Sequence, residues 1–172
     1  MEILRTERLR LRQFTPADAD FMLALVNDPD WHRNINDPGV RDREQALAWM
    51  ETRLFEPYQR LGHGFWAVER LSDGQLIGMC GLFKRDSLPE VDVGYALAAP
   101  FRGQGYAREA AGACLAYGRE QLGLRRILAI IAPDNTPSAR VLESIGMVAQ
   151  GVQQLDAQTG PSMLYAWEAS TD

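Results

Sequence analysis

The sequence predicts a single mixed α/β domain whose central sheet is flanked by helices on both faces. A strand–helix–strand unit occupies the middle of the chain, short strand-like segments precede it, and a helix and two further strands follow it. The 172 residues suit one domain with a core of several strands and helices. We therefore expect one domain over residues 1–172.

The start of the chain alternates strand and helix signals. Leu9 and Leu11 alternate with arginines, which predicts a half-buried strand. Thr15, followed by proline, is typical of a helix start, and residues 19–26 carry an apolar face. Residues 27–42 are mostly polar and contain proline and glycine, so we expect a loop. Loops of this length are often binding segments.

The next elements are predicted from periodicity and turn residues. A helix is expected over residues 43–58, and residues 64–69 and 75–83 read as a hairpin. Near the end of the chain, residues 147–155 and 162–167 are expected to pair as a closing antiparallel hairpin.

The middle of the chain carries the strand–helix–strand unit. Residues 91–97 read as a strand, residues 104–122 as an alanine-rich helix, and residues 126–132 as an apolar strand. Two strands joined by a helix should lie parallel with a right-handed crossover. A further loop and helix are expected over residues 133–145, ended by Gly146.

A glycine-containing segment, Arg102-Gly103-Gln104-Gly105-Tyr106-Ala107, joins this first strand to its helix. Glycines allow a tight turn and close approach of a ligand, and the first N–H groups of the helix favour an anion. Arg102 would add a fixed positive charge, so a pyrophosphate is the expected ligand. The segment matches neither the Walker A motif nor the dinucleotide-binding glycine motif. Gly94, in the preceding strand, indicates either a bulge or a close backbone approach.

The second parallel strand leads to polar residues at the same edge of the sheet. Asn135, Ser138 and Arg140 follow it and can face the same crevice as the glycine segment. Ligands commonly bind at the carboxyl ends of such parallel strands.

Together these segments resemble the GNAT superfamily of N-acetyltransferases, in the branch that includes the ribosomal-protein alanine N-acetyltransferases. The resemblance covers nearly the whole chain and begins at Thr6-Glu7-Arg8-Leu9-Arg10-Leu11-Arg12. It is strongest from Val91 to Met147. There Val93-Gly94-Tyr95 precedes the glycine segment, and Asn135-Thr136-Pro137-Ser138-Ala139-Arg140 leads to Ile145-Gly146-Met147.

The resemblance implies acetyl-CoA as cofactor and direct transfer of the acetyl group to a primary amine in a ternary complex. It implies that the glycine segment binds the pyrophosphate and that the backbone of residues 95–97 pairs with the pantetheine arm. It also implies that Asn135 contacts the cofactor near its thioester and that Ser138 lies where the thiolate leaves. The cofactor-binding residues expected are Tyr95, Ala96, Leu97, Arg102, Gly103, Gln104, Gly105, Tyr106, Ala107, Asn135, Ser138 and Arg140.

A carboxylate on the strand before the glycine segment is implied as the base that deprotonates the amine. Asp92 occupies that place, where relatives often carry glutamate, and its shorter side chain favours action through a water molecule. Glu90 is the reserve candidate, two residues earlier and therefore on the same strand face. A solvated strand residue without a catalytic role is the alternative for both.

Residues Trp31, His32, Arg33 and Asn34 are expected to form one wall of the amine pocket. Loops held by a rigid scaffold often carry specificity, and Trp31 can stack against a cation. The alternative is that Trp31 simply packs in the core. His32 and His63 are weaker candidates for a base.

The acceptor class stays open between a protein N-terminus, a polyamine, an aminoglycoside and a small amine. A non-catalytic acyl-CoA sensor is the alternative function; it would need neither Asp92 nor Ser138. The resemblance is also compatible with a homodimer.

Composition excludes several other classes. The net charge of −5 argues against nucleic-acid binding, which usually needs a basic face. The sequence has no apolar run near the ~18 residues that span a bilayer and no signal-peptide core. Cys80 and Cys114 lack metal-ligand spacing. We therefore expect a cytoplasmic protein with no membrane partner and no metal.

Overall fold

The computed structural model describes residues 1–155 and 160–170; the predicted domain range also includes residues 156–159 and 171–172, which lie outside the described residues. The strands of the described part are β1 (Glu2–Arg5), β2 (Leu9–Arg12), β3 (Phe65–Arg70), β4 (Leu76–Phe83), β5 (Asp92–Leu97), β6 (Arg126–Ile131), β7 (Val148–Gln153) and β8 (Ser162–Glu168). The α-helices there are α1 (Ala19–Val26), α2 (Pro29–Asn34), α3 (Arg43–Met50), α4 (Glu56–Leu61), α5 (Tyr106–Glu120) and α6 (Thr136–Ser144).

The strands form one mixed sheet in the order β1-β2-β3-β4-β5-β6-β8-β7. Its pairs are antiparallel except β5 with β6, which are parallel and joined by α5. The predicted strand–helix–strand unit is thereby confirmed. The closing hairpin is also confirmed, with β8 placed between β6 and β7.

Helices cover both faces of the sheet, as predicted. On one face α5 and α6 bury a core that includes Trp66, Leu82 and Cys114. On the other face α1 to α4 bury a second core around Met22 and Leu54. No helix in the described part of the chain is long and apolar enough to cross a membrane.

The expected loop over residues 27–42 is wrong in its first part, because Pro29–Asn34 form α2. Asp28 precedes the helix, and its carboxylate accepts a hydrogen bond from the Asp30 N–H. Proline at the first helical position needs no N–H partner there. The polar composition of residues 27–42 therefore predicted a loop where a short, capped helix forms.

The helix expected over residues 43–58 is continuous along the chain but irregular in its hydrogen bonding. It begins as α3, widens into a π-helical turn at Glu51–Phe55, and resumes as α4. Pro57 explains the widening, because it has no N–H and its ring crowds the carbonyl four residues earlier. The structure also adds β1, a four-residue strand beside β2 that the sequence analysis missed.

Candidate active site

A crevice opens where β5 and β6 separate. Asp92 lies opposite Leu128, and the Leu128 N–H donates to the Val91 carbonyl oxygen at 2.9 Å. That is the one register pair between these strands in the described residues. β5 continues to Leu97 and β6 to Ile131. The two strands therefore present unpaired backbone edges to each other beyond their first residues.

Alternation decides which backbone groups of β5 face this crevice. Because the Val91 carbonyl points at β6, those of Val93, Tyr95 and Leu97 point the same way. Ala96 is paired with Met79 on the opposite side, and its N–H and C=O point toward β4. The backbone of Ala96 therefore bonds toward β4, whereas that of Tyr95 and Leu97 faces the crevice.

The glycine segment turns sharply between β5 and α5. Gly103 and Gly105 have φ angles of 76° and 84°, in the left-handed region that side chains disfavour. Gly105 is the residue that caps α5. Residues 102–105 are exposed, whereas Tyr106 is buried and Ala107 half-buried. The free N–H groups at the start of α5 are accordingly accessible to an anion.

Arg8 braces this turn, which the sequence analysis missed. Its Nη1 donates to the Gln104 carbonyl oxygen at 2.9 Å, and its guanidinium lies 4.4 Å from the centre of the Tyr106 ring. Its Nε donates to Glu109 at 2.7 Å. The alternation of arginines with leucines predicted only that Arg8 lies on the surface of a strand. No local sequence pattern links Arg8 to the glycine segment, which lies about a hundred positions later in the chain.

A cavity of about 490 Å³ lies beside the brace, between the start of α5 and the end of α6. Its charged lining residues are Arg8, Arg108 and Glu109, and the others are Gly105, Gly112, Ser144 and Ile145. Glu109 compensates the charge of Arg8, so the Arg108 guanidinium and the helix N-terminus are what favour a negatively charged ligand in this cavity.

Arg102 points away from the start of α5. Its Nε donates to the Leu97 carbonyl oxygen at 3.1 Å, and its Nη1 donates to Asp30 at 2.5 Å. Its Nη2 lies 3.2 Å from the Asp28 carboxylate. The structure thus places the Arg102 guanidinium on α2, with two carboxylates compensating its charge.

The first turn of α6 lies across the crevice from β5. The Asn135 side chain accepts a hydrogen bond from the Ser138 N–H at 3.3 Å and caps the helix. The Tyr95 hydroxyl donates to the Ser138 carbonyl oxygen at 3.5 Å, a long contact. Burial raises the pKa of Tyr95 to about 12, so its hydroxyl stays protonated. Tyr95, Asn135 and Ser138 are brought together as predicted, while Arg140 lies exposed further along α6.

Asp92 is buried at the start of β5. One of its oxygens lies 2.8 Å from Arg85 Nη2, and the other has no hydrogen-bond partner in the described residues. Burial raises the pKa of this carboxyl group, and the charge of Arg85 opposes that effect only in part. Arg85 lies in the connection between β4 and β5, where no sequence pattern indicated a role for it.

Glu90 does not share a strand face with Asp92, contrary to the expectation. β5 begins at Asp92, so Glu90 lies in the preceding connection. Its carboxylate lies 3.2 Å from Arg126 Nη1, at the start of β6. The period of two does not apply before the strand begins.

Gly94 lies on the same face of the sheet as Asp92, without a bulge. Six consecutive pairs with β4 are in regular register. A Cβ atom on Gly94 would lie 3.0 Å from the ring of Phe65, which is stacked on Phe83 at 5.3 Å. Neither the bulge nor a close backbone approach expected for Gly94 is observed, because its close neighbour is the side-chain ring of Phe65.

The residues expected to form an amine pocket lie on α2. Trp31 is 6% exposed and packs edge-on against Trp49 at 6.1 Å, in the core beneath α1 and α3. His32 and Asn34 are half-buried, and Arg33 is exposed and paired with Asp30. The indole ring of Trp31 is therefore a core group, which was the alternative expectation.

The family profile described as an acetyltransferase (GNAT) domain matches residues 8–148. The chain belongs to the GNAT acetyltransferase family. Among its relatives are YkkB of Bacillus subtilis (strain 168), 34% identical over 84% of each chain, and an uncharacterised N-acetyltransferase, p20, of Bacillus licheniformis. The latter is 31% identical over 88% of this chain and 85% of its own.

Solved structures agree with this membership. A GNAT-family acetyltransferase from Bacillus anthracis is 28% identical, with a TM-score of 0.80 over 98% of both chains. RimL, a ribosomal L7/L12 α-N-protein acetyltransferase solved in complex with coenzyme A, has a TM-score of 0.83 over the whole of both chains. At 17% identity RimL shows the shared fold only. The chain is thus an acetyl-CoA-dependent N-acetyltransferase.

Proposed function

We propose that this acetyltransferase binds acetyl-CoA in the crevice between β5 and β6 and transfers the acetyl group directly to a primary amine. The observation that carries this proposal is the separation of the two parallel strands after the Asp92–Leu128 pair. It leaves strand edges able to bond an extended amide-containing arm, and it leads to the exposed helix start at Gly105.

The cofactor fits the groups that the structure brings to this crevice. The N–H groups that follow Gly105 would hold the pyrophosphate, and the cavity beside Arg8 and Arg108 would take a negatively charged part of the nucleotide. The backbone of Tyr95 and Leu97 would bond the arm. Acetyl-CoA supplies an acetyl group activated as a thioester, which an amine converts to an amide with release of the thiol.

Asp92 is proposed as the base. The five steps of β5 from Asp92 to Leu97 span about 17 Å at ~3.3–3.4 Å per residue. An extended ligand held at the glycine segment would therefore end near Asp92. The raised pKa of Asp92 brings it closer to the working pH, which favours proton transfer. Its unpaired oxygen would accept the amine proton, directly or through water.

Ser138 is proposed to stabilise the leaving thiolate. Ser138 lies on the first turn of α6, on the side of the crevice opposite β5, where its backbone carbonyl oxygen accepts the long contact from the Tyr95 hydroxyl. A serine hydroxyl has a high intrinsic pKa, so donation of a hydrogen bond is the role assigned to it. The N-terminus of α6 would further favour negative charge at that point.

The acceptor is proposed to approach from the α2 side. His32, Arg33 and Asn34 would contribute polar contacts, and Trp31 would anchor the helix in the core. The net charge of −5 is compatible with a cationic acceptor such as a polyamine. An exposed protein N-terminus and a small amine remain alternatives for the test.

The test is turnover of acetyl-CoA against spermidine, a short peptide with a free N-terminus, an aminoglycoside and a small primary amine. Thiol release can be followed with a thiol-reactive chromophore, since Cys80 and Cys114 are both fully buried. We expect amine-dependent release, one acetyl group on the product by mass spectrometry, and intersecting initial-velocity lines. Binding of acetyl-CoA without turnover of any amine would contradict catalysis. Parallel lines with an acetylated protein would contradict direct transfer.

A further inference from the structure

The guanidinium of Arg102 joins three parts of the site. It bonds the Leu97 carbonyl at the end of β5, and it contacts the carboxylates of Asp28 and Asp30 at the start of α2. Its position in the glycine segment makes it part of the loop proposed to bind the cofactor. These contacts of Arg102 with Leu97, Asp28 and Asp30 form a bridge. The bridge connects the loop proposed to bind the cofactor to the helix proposed to bind the acceptor.

α2 depends on such anchoring. It has six residues, and a helix of that length has no stability of its own in water. Trp31 anchors its middle in the core. At its start, Asp28 caps the helix while also contacting Arg102. Without Arg102, two neighbouring carboxylates would repel each other at that point.

The same contacts make Arg102 a poor phosphate ligand. Two carboxylates already compensate its charge, and Nε is bonded to a backbone carbonyl. An anion would have to displace Asp28 and Asp30 to reach the guanidinium. The N–H groups after Gly105 lie at the glycine segment without that competition, whereas the Arg8 guanidinium is itself paired with the carboxylate of Glu109.

We propose that Arg102 is a positioning residue for the acceptor. It fixes α2 against the end of β5 and so places His32 and Asn34, while contributing little to cofactor affinity. This proposal rests on the proposed function in that it takes α2 as the acceptor side.

The test compares Arg102→Gln with Asp30→Asn, alone and combined. Coenzyme A affinity is measured by calorimetry, and KM and kcat are measured with whichever amine of the panel the wild type acetylates. We expect each single variant to raise the amine KM roughly tenfold, with a combined effect well short of the product. The coenzyme A Kd should change less than twofold. Arg102→Lys keeps the positive charge but lacks the planar guanidinium. Its amine KM should therefore lie between those of the wild type and Arg102→Gln.

The matched control is Arg5→Gln, which removes an exposed arginine paired with Glu2 on β1; it should change neither constant. A structural readout independent of the acceptor is hydrogen exchange of the α2 amides. Exchange at His32 and Ile35, whose N–H groups donate to Asp28 and Trp31, should accelerate in both bridge variants.

The coenzyme A affinities of the two variants distinguish a phosphate-binding role of Arg102 from the positioning role. If Arg102 binds phosphate, Arg102→Gln weakens coenzyme A binding while Asp30→Asn strengthens it by removing a competitor. That result, or an unchanged amine KM, would overturn the proposal. If the wild type acetylates no amine in the panel, the proposed function fails, and unaltered α2 exchange would then separately refute the bridge.

Discussion

The conformation of Gly105 allows the cofactor site to be tested with a single methyl group. Gly105 has φ 84°, and an alanine there costs roughly 1–2 kcal/mol of backbone strain. Its Cβ would also approach Arg8 Nη2 at 3.2 Å. Relief of both requires φ to rotate, which redirects the N–H groups that open α5. We therefore expect Gly105→Ala to damage cofactor binding as well as stability.

Gly123 is a matched control at the other end of α5. It has φ 65°, and a Cβ there would meet no atom within 4 Å. Both alanine variants should lower Tm by about 2–8 °C, as expected for ~1–2 kcal/mol in a domain of this size. Only Gly105→Ala should disturb the anion site. Loss of one hydrogen bond to a charged group is worth about 1.5–3 kcal/mol, hence a roughly 10- to 100-fold rise in Kd.

Calorimetric titration with coenzyme A measures this directly, and thermal unfolding followed by circular dichroism checks that both variants fold. We expect weaker coenzyme A binding in Gly105→Ala and a wild-type Kd in Gly123→Ala. A folded Gly105→Ala protein with wild-type affinity would refute the placement of the pyrophosphate. Equal weakening in both variants would show a global effect instead.

Three further predictions concern the chemistry and α2. Ser138→Ala should lower kcat roughly 10- to 100-fold with little change in coenzyme A affinity, as expected for one lost hydrogen bond to a charged group. The control, Ser72→Ala in the exposed β3–β4 turn, should change neither kcat nor coenzyme A affinity. Asp92 cannot accept a proton once protonated, so the wild-type rate should fall as pH drops through its raised pKa. Asp92→Asn should lower kcat and remove that limb, and full activity in Asp92→Asn with a loss in Glu90→Gln would transfer the role to Glu90. Trp31→Ala should cost about 3–5 kcal/mol of stability because the ring is in the core; a raised amine KM without destabilisation would restore it as a pocket wall.

The sequence by itself determined the architecture of the middle of the chain. Apolar strands of six or seven residues on either side of an alanine-rich helix admit one arrangement, a parallel pair with a right-handed crossover. Gly105 followed by a helix likewise determined an anion-attracting helix start, because left-handed backbone and free N–H groups are local properties. Strand periodicity placed Asp92 in the sheet but gave Glu90 the wrong surroundings.

Only the tertiary structure decided which charged groups meet. Arg8 braces the turn before Tyr106, Arg85 pairs with Asp92, and Arg102 turns to Asp28 and Asp30 instead of the helix start. Each of these contacts joins different secondary-structure elements or the connections between them, and long arginine side chains can reach several partners from one backbone position. Periodicity reports which face of an element is buried, but it carries no information on which distant carboxylate lies opposite a given guanidinium. That pairing follows from packing, and it changed the role assigned to Arg102.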